Sequence, residues 1–373
     1  MKIIMSATPQ HGHVLPLLPL ARALRDAGNE VAVLTSGGMR SVIEPEGFRL
    51  LPAGPPPGVM LAEVKARTGA DPGGNPTPGW VAEFFARVRV ELTADEALAE
   101  AREFRPDLIV REALDYVGPL VAAARDVPVA TLALGPARPS AFIAALDAAA
   151  ESSYAAWGLP ARPSTWHLDT CPPSLQADSW RRPGGWQLLR PEPHQPPGAI
   201  ARAPEVSARP RVLVTFGTFF NAPQVVSPLV RQLSALDVDI VVSLGLHPDP
   251  RQFEVDHSRV TFVPFTPLAS LLPGTDAVLA HGGAGTTLGT LSRGIPLVIT
   301  PQGADQFNQA ERVAAVGAGI ALQPGEATPE AVTEAVRTVL SEPSYRQAAA
   351  AVAKDIASMP EPSRVAALLE KGA

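Results

Sequence analysis

Cysteine is almost missing from this chain, which excludes two kinds of stabilising site. Cys171 is the single cysteine among 373 residues. One thiol cannot make an internal disulfide, and it cannot supply a multi-cysteine metal site. Aromatic residues are also few, at 5%, and charged residues amount to 18% against 46% hydrophobic residues. This balance is typical of a globular protein rather than a disordered one.

Positive charge is also in short supply. The chain has 31 Lys and Arg against 37 Asp and Glu, which gives a formal net charge of −6. A surface of that sign repels a phosphate backbone, and the sequence has no basic stripe to offset it, so we expect no nucleic-acid partner. A chain of this length is too long for one ordinary core, which predicts two domains.

A long apolar segment is the third missing feature. The apolar start Met1–Met5 is too short for the core of a secretion signal, because His11 and His13 follow soon after. The uncharged stretch Val212–Val230 has about the length of a membrane span, but its glycine, asparagine and prolines divide it into a strand, a loop and a helix start. We expect a cytoplasmic protein with no integral membrane segment.

Short apolar runs alternate with amphipathic stretches in both halves of the chain. In the first half, the predicted strands are Lys2–Ala7, Val31–Leu34, Leu108–Val110 and Val129–Leu134, and the predicted helices are Leu15–Ala27 and Tyr116–Ala124. In the second half, the predicted strands are Val212–Phe216, Val238–Leu244, Val260–Val263, Ala277–Ala280 and Leu297–Thr300. The alternation predicts two doubly wound α/β domains, each a parallel sheet with helices on both faces. The stretch from Pro160 to Pro210 is dense in proline and tryptophan, which predicts loops and a linker.

A glycine-rich segment, His281-Gly-Gly-Ala-Gly-Thr-Thr, follows a predicted strand and opens a helix. Glycines let a backbone approach a ligand closely, and free N–H groups at a helix start attract anions. The segment therefore predicts a diphosphate site, although a glycine turn that serves only strand–helix packing is the alternative. It lacks the Gly-Lys-Ser/Thr of a Walker A loop, and it is not a GxGxxG dinucleotide fingerprint.

Two further loops at strand ends carry polar side chains. Asp305 and Gln306 lie where loops line the ligand crevice of an open α/β sheet, and they suit sugar hydroxyls. The alternative for Asp305 is a helix cap. In the first loop, Gln10-His-Gly-His-Val-Leu-Pro, His13 is either a functional group or a histidine that only bonds the backbone. A metal held by His11 and His13 lacks a third ligand nearby, so we predict no metal site.

Together these segments resemble the inverting glycosyltransferases of the two-domain GT-B fold, the family of bacterial natural-product glycosyltransferases. The resemblance extends over the whole chain and is strongest from Phe262 to Leu322. It implies two Rossmann-like doubly wound domains that face each other across a cleft. The implied domains are an N-terminal acceptor-binding domain, residues 1–205, and a C-terminal nucleotide-sugar donor domain, residues 206–357. The tail, residues 358–373, would pack back on the first domain after a break at Pro360.

The resemblance also implies roles for individual residues. His13 matches the family's general base, three positions before a proline, and Glu112 stands where many members have an aspartate that orients that histidine. Such a base takes the proton from an acceptor hydroxyl as the hydroxyl attacks the anomeric carbon. Gln309 stands where relatives often carry asparagine. The implied donor contacts are Gly217, Thr218, Val263, His281, Gly283, Gly285, Thr286, Thr287, Asp305 and Gln306.

The implied function is inverting transfer of a sugar from a dTDP- or UDP-sugar to a small apolar natural product in antibiotic biosynthesis. No metal or other cofactor is required, because the helix start and His281 can act on the leaving diphosphate. Asp237-Val-Asp239 imitates a metal-binding DxD motif, but it leads into a strand, and we interpret it as coincidence. Trp157 and Trp166 are candidate acceptor contacts, or they pack loops onto the domain.

Two other functions are open on the sequence alone. One is a nucleotide-sugar epimerase on the same fold, and the other is a non-catalytic subunit that binds a nucleotide sugar. A subunit that only binds has no use for a base at His13, and epimerisation needs no acceptor. The sugar, the base of the donor, the acceptor and the oligomeric state are also open, and a homodimer is one option.

Overall fold

Two parallel sheets organise the computed structural model, which describes residues 1–70, 76–196, 198, 208–218, 220–246, 249–253, 255 and 259–372. The chain divides into two compact units. The N-terminal unit comprises Met1–Cys171, Asp178–Arg190 and Met359–Ala373, and the C-terminal unit comprises Pro172–Ala177 and Pro191–Ser358. The domain boundary expected between residues 205 and 206 lies outside the described residues.

The N-terminal unit is built on a seven-stranded sheet. Its strands are β1 Lys2–Ser6, β2 Glu30–Thr35, β3 Arg49–Pro52, β4 Leu108–Glu112, β5 Val129–Leu132, β6 Trp166–Asp169 and β7 Trp186–Leu188. They lie in the order β3-β2-β1-β4-β5-β6-β7, and every neighbouring pair is parallel. Strands β1 and β5 are buried along nearly their whole length, as expected for a parallel sheet covered on both faces.

The helices of this unit lie in the connections between strands. They are α1 His11–Val14, α2 Leu18–Asp26, α3 Arg40–Ile43, α4 Pro57–Thr68, α5 Pro78–Ala82, α6 Arg89–Glu91, α7 Ala94–Phe104, α8 Val117–Arg125 and α9 Ser140–Tyr154. Glu83–Val88 is π-helical and joins α5 to α6, and 3₁₀ turns occur at Leu15–Leu17, Gly37–Met39, Glu44–Glu46 and Ala155–Trp157. The helix predicted over Leu15–Ala27 starts as a 3₁₀ turn because its two prolines lack the N–H that an α-helix uses.

One prediction for this part of the chain is wrong. The stretch after Pro160, predicted as loops and linker only, supplies β6 and β7 at one edge of the sheet. The Ala133 N–H donates to the Leu168 carbonyl at 2.8 Å, and the His167 N–H donates to the Gly185 carbonyl at 3.0 Å. Neither strand is longer than four residues. So short a strand shows no clear alternation among so many prolines.

The C-terminal unit contains a six-stranded sheet in the order β10-β9-β8-β11-β12-β13. Its strands are β8 Arg211–Thr215, β9 Asp239–Ser243, β10 Val260–Val263, β11 Ala277–Ala280, β12 Leu297–Ile299 and β13 Gly319–Ala321. Its helices are α10 Pro223–Leu233, α11 Leu268–Leu271, α12 Ala284–Leu291, α13 Gln306–Ala315, α14 Pro329–Ser341 and α15 Pro343–Ser358, with 3₁₀ turns at Pro173–Leu175 and Pro250–Gln252. The five predicted strands are all present, and only the three-residue β13 escapes prediction.

The last helix, α16 Pro362–Gly372, belongs to the N-terminal unit and packs against α2. The Asn29 side-chain amide donates to Glu370 Oε1 at 2.7 Å. Gly372 lies so close to the indole of Trp166 that an added Cβ would come within 2.7 Å of the ring. These contacts attach the end of the chain to the first sheet.

Both sheets have the strand order of a Rossmann-like fold, so the predicted α/β class is confirmed. In each sheet the order reverses once, between β1 and β4 in the N-terminal unit and between β8 and β11 in the C-terminal unit. Ligands of open α/β sheets bind at such reversals, outside the carboxyl ends of the strands. Within the described ranges, no helix combines the length and the apolar character needed to span a bilayer.

Candidate active site

The reversal point of the N-terminal sheet brings together the two residues predicted to be catalytic. His13 lies in α1, just after β1, and Glu112 is the last residue of β4. The Nδ1 atom of His13 lies 3.0 Å from Oε1 of Glu112. The Glu112 side chain is fully buried, whereas 13% of the His13 side chain is exposed. A partly exposed imidazole beside a buried carboxylate is a suitable arrangement for proton transfer.

Backbone donors hold the Glu112 carboxylate in place. The Leu114 N–H donates to Oε2 at 2.7 Å, and the Thr8 N–H donates to Oε1 at 3.3 Å. Burial by itself would raise the pKa of Glu112, but the interaction with His13 and these two backbone bonds together lower the pKa to about 2. Glu112 is therefore ionised at neutral pH.

Aromatic side chains that the sequence does not predict at the site lie next to His13. The ring centroids of Phe85 and His13 lie 5.6 Å apart, and Phe84 meets Phe85 edge-on at 4.7 Å. Trp80 stacks on Phe84 at 5.5 Å. Phe85 and Trp80 are half-buried. The pair Phe84–Phe85 is visible in the sequence, but the π-helical segment that directs it is not, because such segments have no clear pattern.

The two tryptophans predicted as acceptor contacts have packing partners elsewhere in the unit. The Trp157 indole N–H donates to Asp95 Oδ1 at 2.9 Å. Trp166 is 9% exposed, lies in β6, and has Gly372 of α16 beside its ring. Both positions are accounted for by packing, which was the alternative interpretation of these residues.

In the C-terminal unit, the loops after β8 and β11 meet at His281. An added Cβ would come within 2.9 Å of the imidazole at Gly217 and within 2.7 Å of it at Gly283. Gly217 also has φ +68°, a conformation that favours glycine. The rings of Phe216 and Phe220 lie 6.4 Å and 5.9 Å from that of His281. The glycines thus leave room for a buried imidazole at the reversal point of this sheet.

Helix α12 starts immediately after this imidazole, and no side chain caps it. Its first main-chain bond runs from the Thr287 N–H to the Gly283 carbonyl at 2.9 Å. An added Cβ at Gly285 would meet nothing within 4 Å, so the space beside this helix turn is open at Gly285. Uncapped N–H groups and the positive end of the helix dipole together form an anion site. This geometry suits the predicted diphosphate.

Asp305 and Gln306, in the loop after β12 that is predicted to contact the donor, have different surroundings. Gln306 Oε1 accepts the N–H groups of Gln302 and Gly303 at 2.7 Å and 3.1 Å, so its carbonyl side supports its own loop. Asp305 precedes α13 without capping it through its side chain. Gln309 Nε2 lies 3.4 Å from Asp305 Oδ2. The carboxylate of Asp305 is therefore not used as the helix cap that the sequence allowed.

The other predicted donor contacts lie at the carboxyl ends of strands. Gly217 and Thr218 form the turn after β8, and Val263 is the last residue of β10. Asp237 and Asp239, in contrast, lie at the start of β9. Asp237 pairs with Arg209 at 2.9 Å and with Arg259 at 3.1 Å. These ion pairs give the DxD-like sequence a structural role.

The chain matches one family over most of its length. Family models described as the N-terminal and C-terminal domains of erythromycin biosynthesis protein CIII-like proteins match residues 81–182 and 227–371. The elloramycin glycosyltransferase ElmGT of Streptomyces olivaceus is 30% identical over 99% of this chain and 97% of its own length. The chain belongs to this family of natural-product glycosyltransferases.

Solved structures of similar proteins agree with this assignment. The glycosyltransferase SnogD from Streptomyces nogalater is 30% identical, with a TM-score of 0.82 over 100% of this chain and 99% of its own. SsfS6 of Streptomyces sp. SF2575, complexed with thymidine diphosphate, is 28% identical, with a TM-score of 0.84 over 100% of this chain and 99% of its own. The predicted family, GT-B fold and enzyme class of this glycosyltransferase are therefore confirmed.

The charge state of His281 in the glycosyltransferase follows from its burial. Burial lowers the pKa of His281 to about 4, although the backbone of Thr215 and the carboxylate of Asp305 act in the opposite direction. The imidazole is therefore neutral at neutral pH, so it can act as a hydrogen-bond donor or acceptor but not as a cation.

This burial predicts a loss of stability in mild acid. As pH falls from about 6.5 to about 4, the unfolded chain protonates this histidine while the folded chain does not, so the free energy of unfolding decreases. The contribution is at most about 3 to 4 kcal/mol, at about 1.4 kcal/mol for each pKa unit. Urea unfolding of His281→Asn across this range should lack that part of the decrease. An equal decrease in the variant and the wild type would contradict the prediction.

Proposed function

We propose that this glycosyltransferase transfers a sugar, with inversion, from a dTDP- or UDP-sugar to a hydroxyl group of a small apolar natural product. The observation that carries the proposal is the 3.0 Å approach of His13 Nδ1 to the fully buried, ionised carboxylate of Glu112. A dedicated base has no use in a subunit that only binds. The family assignment favours transfer over epimerisation.

The N-terminal unit supplies the base. With Nδ1 3.0 Å from Oε1 of Glu112, the Nε2 atom of His13 is the one that takes the proton from the acceptor hydroxyl. The bond from the hydroxyl oxygen to the anomeric carbon forms as the bond from that carbon to the diphosphate breaks. Glu112 then stabilises the imidazolium, because an ionised carboxylate at this distance favours the charged form.

The C-terminal unit supplies the donor site. We propose that the diphosphate binds at the His281–Thr287 segment; the start of α12 without a side-chain cap and the open space beside Gly285 support this position. Negative charge grows on the diphosphate as the sugar leaves, and preorganised N–H groups stabilise such charge. Thymidine diphosphate in the complex of SsfS6 favours a dTDP-sugar as donor here. Asp305 and the free NH₂ of Gln306 are proposed to bind sugar hydroxyls.

The acceptor is proposed to lie against the half-buried rings of Phe85 and Trp80; Phe84, which contacts both rings, is itself buried. Phe85 contacts His13 directly, so an apolar ring on Phe85 would bring its hydroxyl towards the base. Half-buried aromatic side chains beside one polar group are typical of small-molecule sites. Trp157 and Trp166 are less suited, because both pack elsewhere in the unit.

We expect transfer in the presence of EDTA at an unchanged rate, because N–H groups and a neutral imidazole take the role that a metal ion has in other transferases. The measurement is product formation from dTDP-glucose and an alcohol acceptor, with and without EDTA, with NMR assignment of the anomeric configuration. Donor incubated alone should stay unchanged. Strong inhibition by EDTA that Mg²⁺ or Mn²⁺ reverses would contradict the proposal and would make Asp237 and Asp239 candidate metal ligands.

A further inference from the structure

A second pair of buried ionisable groups lies next to the His13–Glu112 pair. The side chains of Arg89 and Asp115 have no exposed surface, and Arg89 Nη2 lies 3.5 Å from Asp115 Oδ1. Asp115 Oδ2 accepts from Ser6 Oγ at 2.5 Å and from the Gly118 N–H at 2.9 Å. Asp115 is thus saturated inside the core, and it is not an alternative base for the acceptor.

Arg89 also bonds the loop that leads from β1 to His13. Its Nη2 donates to the main-chain carbonyl of Ala7 at 2.9 Å, and its Nη1 donates to Thr93 Oγ1 at 2.9 Å. Ala7 directly precedes Thr8, whose N–H donates to Glu112. One helical turn before Arg89, Phe85 contacts His13. The same helical segment therefore holds both ends of the loop between β1 and α1.

Stability alone is a poor reason for this arginine. A buried ion pair often adds nothing to stability compared with well-packed apolar side chains. Among the described residues, the Nε atom of Arg89 has no hydrogen-bond partner, and burial lowers the pKa of Arg89. An incompletely satisfied buried cation points to a role in the site.

The charge count of the cluster gives that role. Arg89 interacts electrostatically with both Asp115 and Glu112. Burial raises the pKa of Asp115, and the Arg89 cation acts in the opposite direction. With both carboxylates ionised, Arg89, Asp115 and Glu112 together carry one net negative charge, which protonation of His13 would neutralise. The titratable and charged groups that face this cluster are Arg89 on α6, Arg111 and Glu112 on β4, His13 on α1 and Tyr154 on α9.

We propose that Arg89 is a positioning residue for the base: it fixes the loop from which Thr8 bonds Glu112 and, with Asp115 as counter-ion, sets the charge around His13. This inference rests on the proposed function of His13. It assigns no contact with substrate to Arg89 or Asp115. Their effect reaches the reaction only through the placement and the charge of the His13–Glu112 pair.

The test compares Arg89→Gln, Asp115→Asn and the double variant with Arg87→Gln, a control on the same helical segment whose arginine pairs with Glu83 at 3.0 Å. We expect Arg89→Gln to lower kcat about 10- to 100-fold, the usual cost of a misplaced catalytic group, with dTDP affinity unchanged. Asp115→Asn should move the acid limb of kcat/KM to lower pH, because the base loses a neighbouring negative charge. The double variant should move that limb back.

The double variant also covers the case in which Arg89→Gln does not fold, because it buries a neutral pair. Glutamine is too short to reach the Ala7 carbonyl, so kcat of the folded double variant should stay at least 10-fold low. Wild-type kcat in that variant, or an unmoved acid limb in Asp115→Asn, would overturn the inference. His13→Ala in the same assay separates the two claims, because normal turnover there would overturn the proposed function itself.

Discussion

Replacement of His13 by alanine is expected to lower kcat for transfer to an unactivated alcohol by about 10²- to 10⁴-fold, the usual contribution of a general base. The reason is the arrangement at the reversal point of the first sheet, where His13 meets a carboxylate that is ionised at neutral pH. Alanine leaves the acceptor hydroxyl without a proton acceptor. The affinity for dTDP should change little, since the proposed donor site belongs to the other unit.

The matched control is His11→Ala, which removes an imidazole from the same short helix. Its kcat should stay within a few-fold of the wild-type value. Glu112→Ala should lower kcat less than His13→Ala does, because Glu112 orients His13 and stabilises the imidazolium but does not itself take the proton. The double variant should lose no more than His13→Ala alone, since residues that act as a unit share one loss. Additive losses would show that the two residues act separately.

The second large effect is expected at Gly285. Gly285→Trp should abolish binding of dTDP, because the indole would occupy the open space beside the first turn of α12, where the diphosphate is proposed to bind. The fold should survive, since an added Cβ meets no atom within 4 Å and tryptophan has a higher helix propensity than glycine, by less than about 1 kcal/mol. A thermal-shift titration with dTDP measures both the binding and the stability of the fold, because a ligand raises the melting temperature by mass action.

Arg293→Trp provides the control for bulk and aromaticity, because it follows the other end of α12 and is exposed. It should keep the full dTDP-induced rise in melting temperature. Gly285→Ala should give an intermediate loss. A normal rise in Gly285→Trp would place the diphosphate elsewhere and remove the basis for the donor site proposed here.

The sequence predicts the elements whose apolar runs are continuous and bounded by breakers. Strands β8 and β11 are clear examples, because in each case glycine in a loop follows one residue after the strand. Strands β6, β7 and β13 have three or four residues, and β13 begins with glycine, so their burial depends on neighbours far along the chain. Tertiary contacts, not local pattern, determine these short strands at or next to the sheet edges.

The features of the candidate site likewise divide into those that the sequence predicts and those that only the fold shows. His13 and Glu112 lie 99 positions apart in the sequence, so their spacing alone does not predict that they meet. The resemblance to the glycosyltransferase family does predict the pair. The approach of Phe85 to His13 requires the π-helical turn, and the use of Gln306 Oε1 by its own loop requires the fold of residues 302–306. Arg89 is unremarkable in the sequence, because only the folded chain shows that its guanidinium is buried.

The most direct test of the central claim, that His13 is the general base, is the dependence of the His13→Ala loss on the acidity of the acceptor. The measurement is kcat/KM of wild type and variant with a series of acceptors that runs from aliphatic alcohols to acidic phenols of similar shape. We expect His13→Ala to lower kcat/KM about 10²-fold or more for the alcohols, and this loss should shrink steadily as the hydroxyl becomes more acidic, because an acidic hydroxyl needs less help from a base. An equal loss for every acceptor would mean that His13 only shapes the site, and would contradict its assignment as the general base.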